Sequence, residues 1–251
     1  GLELVRSHGG QDLERLRGHL LADSVPGDDC DLLWRLVLHS PQGSRVPPAG
    51  PLPVSSMDTR ARLCGVSAPL EVPAIVERAF GVSRRSGYAT FCRNETGRLL
   101  AALAATRDGL MAEFGTGCGV GTAWLRSGAP EGTRLLTAEL DPALAKAAAE
   151  IFADADAVEV LAADWSTVAD RAPFSLLFMD LGDQTDASVD TIADLVAPGG
   201  IVVLDDLTPC ESWPPVVDGR VDLVREHWLT DPRFTAAEVM VAPEAAVIIA
   251  T

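Results

Sequence analysis

The sequence predicts an α/β fold: a seven-stranded mixed sheet with helices on both faces, ending in an antiparallel hairpin. Three observations predict it. Past residue 93, short apolar runs alternate with stretches of helical spacing. The runs are near-continuously apolar, as in parallel strands buried on both faces. The last two are separated only by Pro243 and its neighbours, too few residues for a crossover helix, so they pair antiparallel.

The elements follow in order. Gly109–Gly115 (GLMAEFG) is the first strand and ends in glycines. Arg134–Leu140, Val158–Asp164, Phe174–Asp180 and Gly199–Asp206 are the next four. Between the second and third lies a helix over Pro142–Phe152, with Asp141 at its N-cap. Pro142 takes the first helical position, where a missing N–H costs nothing. A helix near Val216–Leu229 precedes the hairpin strands Thr235–Ala242 and Glu244–Thr251. Five parallel strands and the hairpin make a seven-stranded sheet.

The first 56 residues read differently. Asp12–Leu21 and Cys30–His39 have helical apolar spacing. Ser40–Ser56 is rich in proline, glycine and serine and reads as a linker. The boundary falls at Met57, also a candidate alternative start. Residues 1–56 are thus expected to form an N-terminal extension, and 57–251 the main domain.

Charge narrows the partners. Of 251 residues, 36 are acidic and 20 basic, a net charge of −16. Such a chain is repelled by nucleic acid and by anionic membrane surfaces, which leaves small molecules or proteins. No apolar run reaches the roughly 18–20 residues of a membrane span. The five cysteines are scattered without CxxC spacing, which argues against a zinc site or disulfide framework and suits a reducing cytoplasm. Lys146 is the only lysine, which restricts the choice of catalytic bases.

Glu113–Thr122 reads EFGTGCGVGT, with glycines at 115, 117, 119 and 121. A glycine-rich turn between a strand and a helix lets a ligand approach the backbone closely. Dinucleotide sites prefer glycines at i, i+2 and i+5. Counted from Gly115, the last of these is Val120; counted from Gly117, it is Thr122. The spacing present is E-x-G-x-G-x-G, from Glu113 through Gly119. The glycines alone are also compatible with a tight turn that holds no ligand. Acids at the ends of the next strands argue against that: Glu139 after the second, Asp164 (AADW) after the third, Asp180 (FMD) after the fourth.

Together these motifs resemble the class I S-adenosylmethionine-dependent methyltransferases, over roughly Asn94–Thr251. Within them, the small O-methyltransferases related to the catechol and caffeoyl-CoA enzymes are most similar. Asn94–Leu103 resembles the helix before their first strand, Leu195–Asp206 their helix–PGG–strand element, and His227–Phe234 with the last hairpin their ending. The resemblance implies a Rossmann-like sheet. It implies that Glu113, Gly115, Gly117 and Gly119 cradle the methionine and ribose portion of the cofactor. Glu139 would take the ribose hydroxyls, and Asp164 the adenine amino group with Trp165 beside the ring. Asp180 would border the reacting centre. The implied activity is methyl transfer from S-adenosylmethionine to a hydroxyl, or another nucleophile, of a small molecule, in a cytoplasmic protein that can form a homodimer. An NAD-binding oxidoreductase and a cofactor-binding module without turnover are the alternatives.

Methyl transfer from a sulfonium is an in-line displacement, so alignment, exclusion of water and an electron-rich acceptor are what catalysis requires. The catechol-type relatives hold Mg²⁺ with acids after strands four and five. The matching residues here are Asp180, Asp205 and Asp206. Three carboxylates suit a hard cation; the competing reading makes them caps, cofactor contacts or solvated strand ends. The relatives carry a lysine base three residues after the first metal acid, and here that position is Asp183. Asp183 is then a base, a further ligand or a loop residue. His227, beside Trp228, is the other candidate base, weighed against a structural role. Trp213, in the loop after strand five, either walls the acceptor pocket or simply packs. Cys118 is expected as a small filler facing the cofactor. Arg84, Arg85, Arg93 and Arg98 form either a solvated face or a site for a substrate carboxylate or phosphate.

Overall fold

The computed structural model describes residues 71–88, 92–181 and 188–251. The two front helices, the linker, the Met57 boundary and Asp183 lie outside those residues. Two helices come first, α1 (Ala74–Ser86) and α2 (Asn94–Ala104). The alternation then runs β1 (Met111–Phe114), α3 (Val120–Gly128), β2 (Leu135–Glu139), α4 (Pro142–Ile151) and β3 (Val158–Ala162). It continues through α5 (Ser166–Ala169), β4 (Phe174–Met179), α6 (Val189–Ala193) and β5 (Val196–Leu207).

These strands form one seven-stranded sheet with the last two, β8 (Ala236–Ala242) and β9 (Ala245–Ala250), in the order β3-β2-β1-β4-β5-β9-β8. The first five strands pair parallel, and β9 pairs antiparallel with both β5 and β8. The chain moves outward from β1 to β3 on one side and from β4 to β5 on the other. The switch between β1 and β4 is where open α/β sheets bind ligands, at the carboxyl ends of the strands.

Period-two alternation divides the core. Met111, Leu135, Leu176, Phe178, Val203 and Val247 face one side, with Leu100 of α2 and Trp124 of α3. Ala112, Phe114, Leu136, Leu177, Val202 and Ile248 face the other, with Trp228. β1 is buried at every position, so Glu113 enters the interior by register, as a neighbour of Met111. Asp141 caps α4 as its sequence predicts, accepting from the amides of Ala143 (2.7 Å) and Leu144 (3.4 Å).

Two elements differ from the sequence reading. Val216–Leu229 is not one helix: Val216–Val217 (β6) and Arg220–Val221 (β7) form a small antiparallel ribbon, and α7 spans only Leu223–Thr230. The cause is Asp218–Gly219, both at positive φ (50° and 76°). An Asp-Gly turn of this kind matches the twist of a hairpin and ends any helix. Asp222 then caps α7, accepting from the Arg225 amide at 3.0 Å. β5 also starts earlier than Gly199, at Val196, and takes in Pro198 and Gly199 through a register shift against β4.

Arg225 closes this end of the molecule. Its side chain is fully buried, yet it reaches Asp222, both carboxylate oxygens of Glu238 on β8 (3.1 Å each) and the Thr208 carbonyl (2.7 Å). Nη1 meets both Glu238 oxygens, Nη2 donates to the Thr208 carbonyl and Nε faces Asp222, so one guanidinium spreads its charge over three partners. The loop after β5 is thereby tied to the hairpin.

Candidate active site

A cleft of about 330 Å³ opens at the carboxyl ends of β1 to β4. One wall is the turn from β1 to α3, supplying Gly115, Thr116, Gly117, Cys118, Val120 and Gly121. The turn follows the strand closely because Gly115, at φ 94°, lets the chain pass Asp180; a Cβ there would lie 2.0 Å from the Asp180 carbonyl. The amides of Gly115 and Thr116 donate to the Ala138 carbonyl at 3.1 and 3.2 Å. This backbone is bare and held in place, ready for a ligand at contact distance.

Glu139 ends β2 beside this turn. Its Oε2 accepts from the Gly117 amide at 2.8 Å and its Oε1 from the Asp141 amide at 2.9 Å. Each carboxylate oxygen has a second lone pair, so both remain able to accept from a vicinal diol. Asp164 and Trp165 line the next part of the cleft, after β3. Asp164 is exposed, and the Ser166 hydroxyl and amide hold its carboxyl below the ordinary range. Trp165 stacks on Phe114 with ring centroids 4.9 Å apart, which fixes its plane at the cleft edge. Gly119 is placed differently: it turns toward Ala148 of α4 and Phe152 at that helix's C-terminal end rather than lining the cleft.

Glu113 is also placed differently. It is 0% exposed and does not line the cleft. The Thr122 and Thr137 hydroxyls both donate to its Oε2, the second at 2.7 Å, and Thr116 continues the chain to Thr137. Burial outweighs these donors and raises its pKa to about 7. The carboxylate therefore supports the turn from beneath.

Asp180, Asp205 and Asp206 converge at the end of β4 and β5. One carboxylate oxygen from each lies within 4.8 Å of the others. Asp206 sits at φ 62°, a conformation that a short polar side chain tolerates best. Burial, then the charges of Asp206 and Asp205, hold Asp180 well above the carboxylate range. Burial pushes Asp205 up to about 6, against a Thr96 hydroxyl that donates to it at 3.3 Å. Three converging carboxylates match, in atom type and spacing, the oxygen ligands that a hard divalent cation takes.

Other expectations resolve plainly. His227 is exposed on α7, near Asp231, and does not line the cleft. Arg93 pairs with Glu244 at 2.9 Å and its charge also acts on Asp205, while Arg98 lies over the Trp124 ring and donates to the Glu71 carbonyl; neither lines the cleft. Cys118 does line it, with its thiol raised by burial. Trp213 is 61% exposed. Two cleft residues escaped the sequence reading, Tyr88 and Cys92. Cys92 is buried beside the acids, and burial, then Asp205, push its thiol well up. Tyr88 is the only tyrosine; that rarity was the one available signal.

The sheet order, the glycine turn at the switch point and the acids along one cleft define a class I methyltransferase fold. Residues 112–207 match the family described as a methyltransferase domain. Among solved structures, the O-methyltransferase from Bacillus cereus, in complex with S-adenosylhomocysteine, is 20% identical with a TM-score of 0.59, covering 78% of this chain and 97% of that one. The Streptomyces achromogenes O-methyltransferase involved in tomaymycin synthesis, in complex with S-adenosylmethionine, is 22% identical with a TM-score of 0.58, covering 78% and 95%. A Corynebacterium glutamicum protein is 20% identical with a TM-score of 0.60, covering 78% and 95%. No curated protein matches the sequence. Among the described residues no helix is long and apolar enough to cross a membrane.

Proposed function

We propose that the protein transfers a methyl group from S-adenosylmethionine to a hydroxyl of a small molecule. The observation that carries this reading is the single cleft joining the glycine turn, Glu139, Asp164 with Trp165, and Asp180. In it, Glu139 orients the cofactor ribose, Asp164 and Trp165 the adenine, and Gly115 and Gly117 the remainder. Asp180 closes the end where the acceptor enters. Asp180, Asp205 and Asp206 fit a Mg²⁺ ion in ligand type and spacing. Such an ion would lower the pKa of an acceptor hydroxyl. Asp183 is a second means of removing that proton. The protein's own contribution is alignment and a dry site: Trp165, backed by Phe114, lines the adenine end, and Tyr88 and Leu181 add apolar lining.

The net charge of −16 supports a small molecule over nucleic acid as acceptor. We place the protein in the cytoplasm on its scattered cysteines, assign the methyltransferase domain to 57–251 with an accessory segment before it, and include a homodimer among its states. Calorimetric titration with S-adenosylhomocysteine, with NAD⁺ in parallel, tests the cofactor. Saturable binding of the first alone is expected. Binding of NAD⁺ alone would replace this reading with a dehydrogenase.

A further inference from the structure

Glu113 is an unusual group to keep in this position. It is fully buried beneath the cleft, and its described hydrogen-bond partners are neutral, the Thr122 and Thr137 hydroxyls and the Thr122 amide. Its Oε1 has no hydrogen-bond partner. No cation is among the groups that shift its pKa. A buried carboxylate oxygen without a partner is costly and is kept only where something compensates.

The direction in which Oε1 points supplies a reason. Gly121 is the second residue of α3 and lines the cleft. A Cβ on Gly121 would lie 2.2 Å from Glu113 Oε1 and 2.8 Å from the Phe178 ring. The carboxylate therefore rests against the bare α-carbon of a residue that itself lines the cleft. Only backbone, with no side chain, separates the charge from the cleft. Water does not reach the carboxylate, so its field is weakly screened. The start of α3 adds partial positive charge that helps keep it ionised.

We propose that Glu113 acts through Gly121 as a charge discriminator, favouring a sulfonium cofactor over its neutral thioether product. This rests on the methyltransferase reading above. Loss of the methyl group turns a cationic sulfur into a neutral one, so a buried anion beside the cleft stabilises the ligand before transfer and not after it. Glu113 is thus a positioning residue with an electrostatic role, and Gly121 is glycine because any side chain would displace the carboxylate.

The test is calorimetric titration at pH 8 of wild type and Glu113→Gln with S-adenosylmethionine and S-adenosylhomocysteine separately. Glutamine keeps the shape and the threonine contacts while removing the charge. The expected result is that the ratio of the two Kd values (methionine form over homocysteine form) rises on the order of ten-fold in the variant. Equal weakening of both ligands, or no change in either, would overturn the inference, since a merely structural carboxylate moves both alike. If Glu113→Gln does not fold, Glu113→Asp, which withdraws the charge from Gly121, must raise the same ratio; an unchanged ratio overturns the inference. Wild-type protein that binds neither ligand would instead overturn the cofactor reading, and this inference with it.

Discussion

Stability should fall as pH rises from about 4.5 to 7, and Glu113 should account for a large share of the fall. Its carboxyl has a folded pKa of about 7 against an ordinary 4.5. In that window the unfolded chain has already released the proton, while the folded chain still holds it. The folded state binds more protons, so raising the pH favours unfolding, and the loss is complete above pH 7. The gap from 4.5 to about 7, at roughly 1.4 kcal/mol per pH unit, gives ~3 kcal/mol. Glu113→Gln removes this contribution. Asp180 and Asp205 titrate in the same direction but are present in both proteins, so they cancel in the comparison. The assay is urea unfolding of wild type and variant at pH 5 and pH 8, with chelator present. The stability lost between the two pH values should be about 2–3 kcal/mol smaller in the variant. Losses that agree within ~0.5 kcal/mol would refute the reasoning, because distant titrations are additive to about that margin.

Three further outcomes are expected. Mg²⁺ should raise the melting temperature, more at pH 8 than at pH 5.5, because Asp180 and Asp205 hold their protons unusually tightly and must release them to bind a cation; Asp205→Asn should abolish the rise, and a chelator that leaves activity intact would rule the metal out. Glu139→Ala should weaken S-adenosylhomocysteine binding on the order of a hundred-fold by calorimetry, since it removes the anchor of the Gly117 amide as well as the proposed ribose contact. Arg225→Met should cost about 3–5 kcal/mol in urea unfolding, with the Glu238 charge left without its cation, and Arg225→Lys should not restore it, because one ammonium cannot reach Asp222, Glu238 and the Thr208 carbonyl together.

What was legible in the sequence is what local pattern encodes. Continuous apolar runs marked all five parallel strands, and the short gap at Pro243 marked the hairpin, because strand type and connection length are local properties. The cleft acids were legible for a related reason: Glu139, Asp164 and Asp180 each end a strand, and parallel strands bring their ends to one edge. What was not legible depended on direction or distance. Glu113 sits two residues before Gly115, but strand alternation turns it under the glycine turn instead of into the cleft. His227 lies two residues from the buried Arg225, on the exposed side of α7. The Asp218–Gly219 hairpin was present in the sequence as a local signal and was absorbed into a helical reading of the apolar residues around it.

The convergence of Asp180, Asp205 and Asp206 is a consequence of topology. Phe178 pairs with Val203 and Met179 with Leu204, so β4 and β5 run out in register and their terminal acids meet. A shift of one residue would turn either set to the opposite face of the sheet. The pairing of β5 with β9 breaks register between Leu204 and Leu207, across the two acids, and Asp206 takes positive φ there. The irregularity re-aims Asp206 at a point where an uninterrupted strand would have alternated it away from Asp205. Arg225 then holds the next carbonyls of the loop, at Thr208. The three acids are held together by an irregular strand end and a buried ion pair, against their own repulsion. A resident cation would relieve that repulsion, which makes the Mg²⁺-dependent gain in melting temperature the most direct measure of what the arrangement is for.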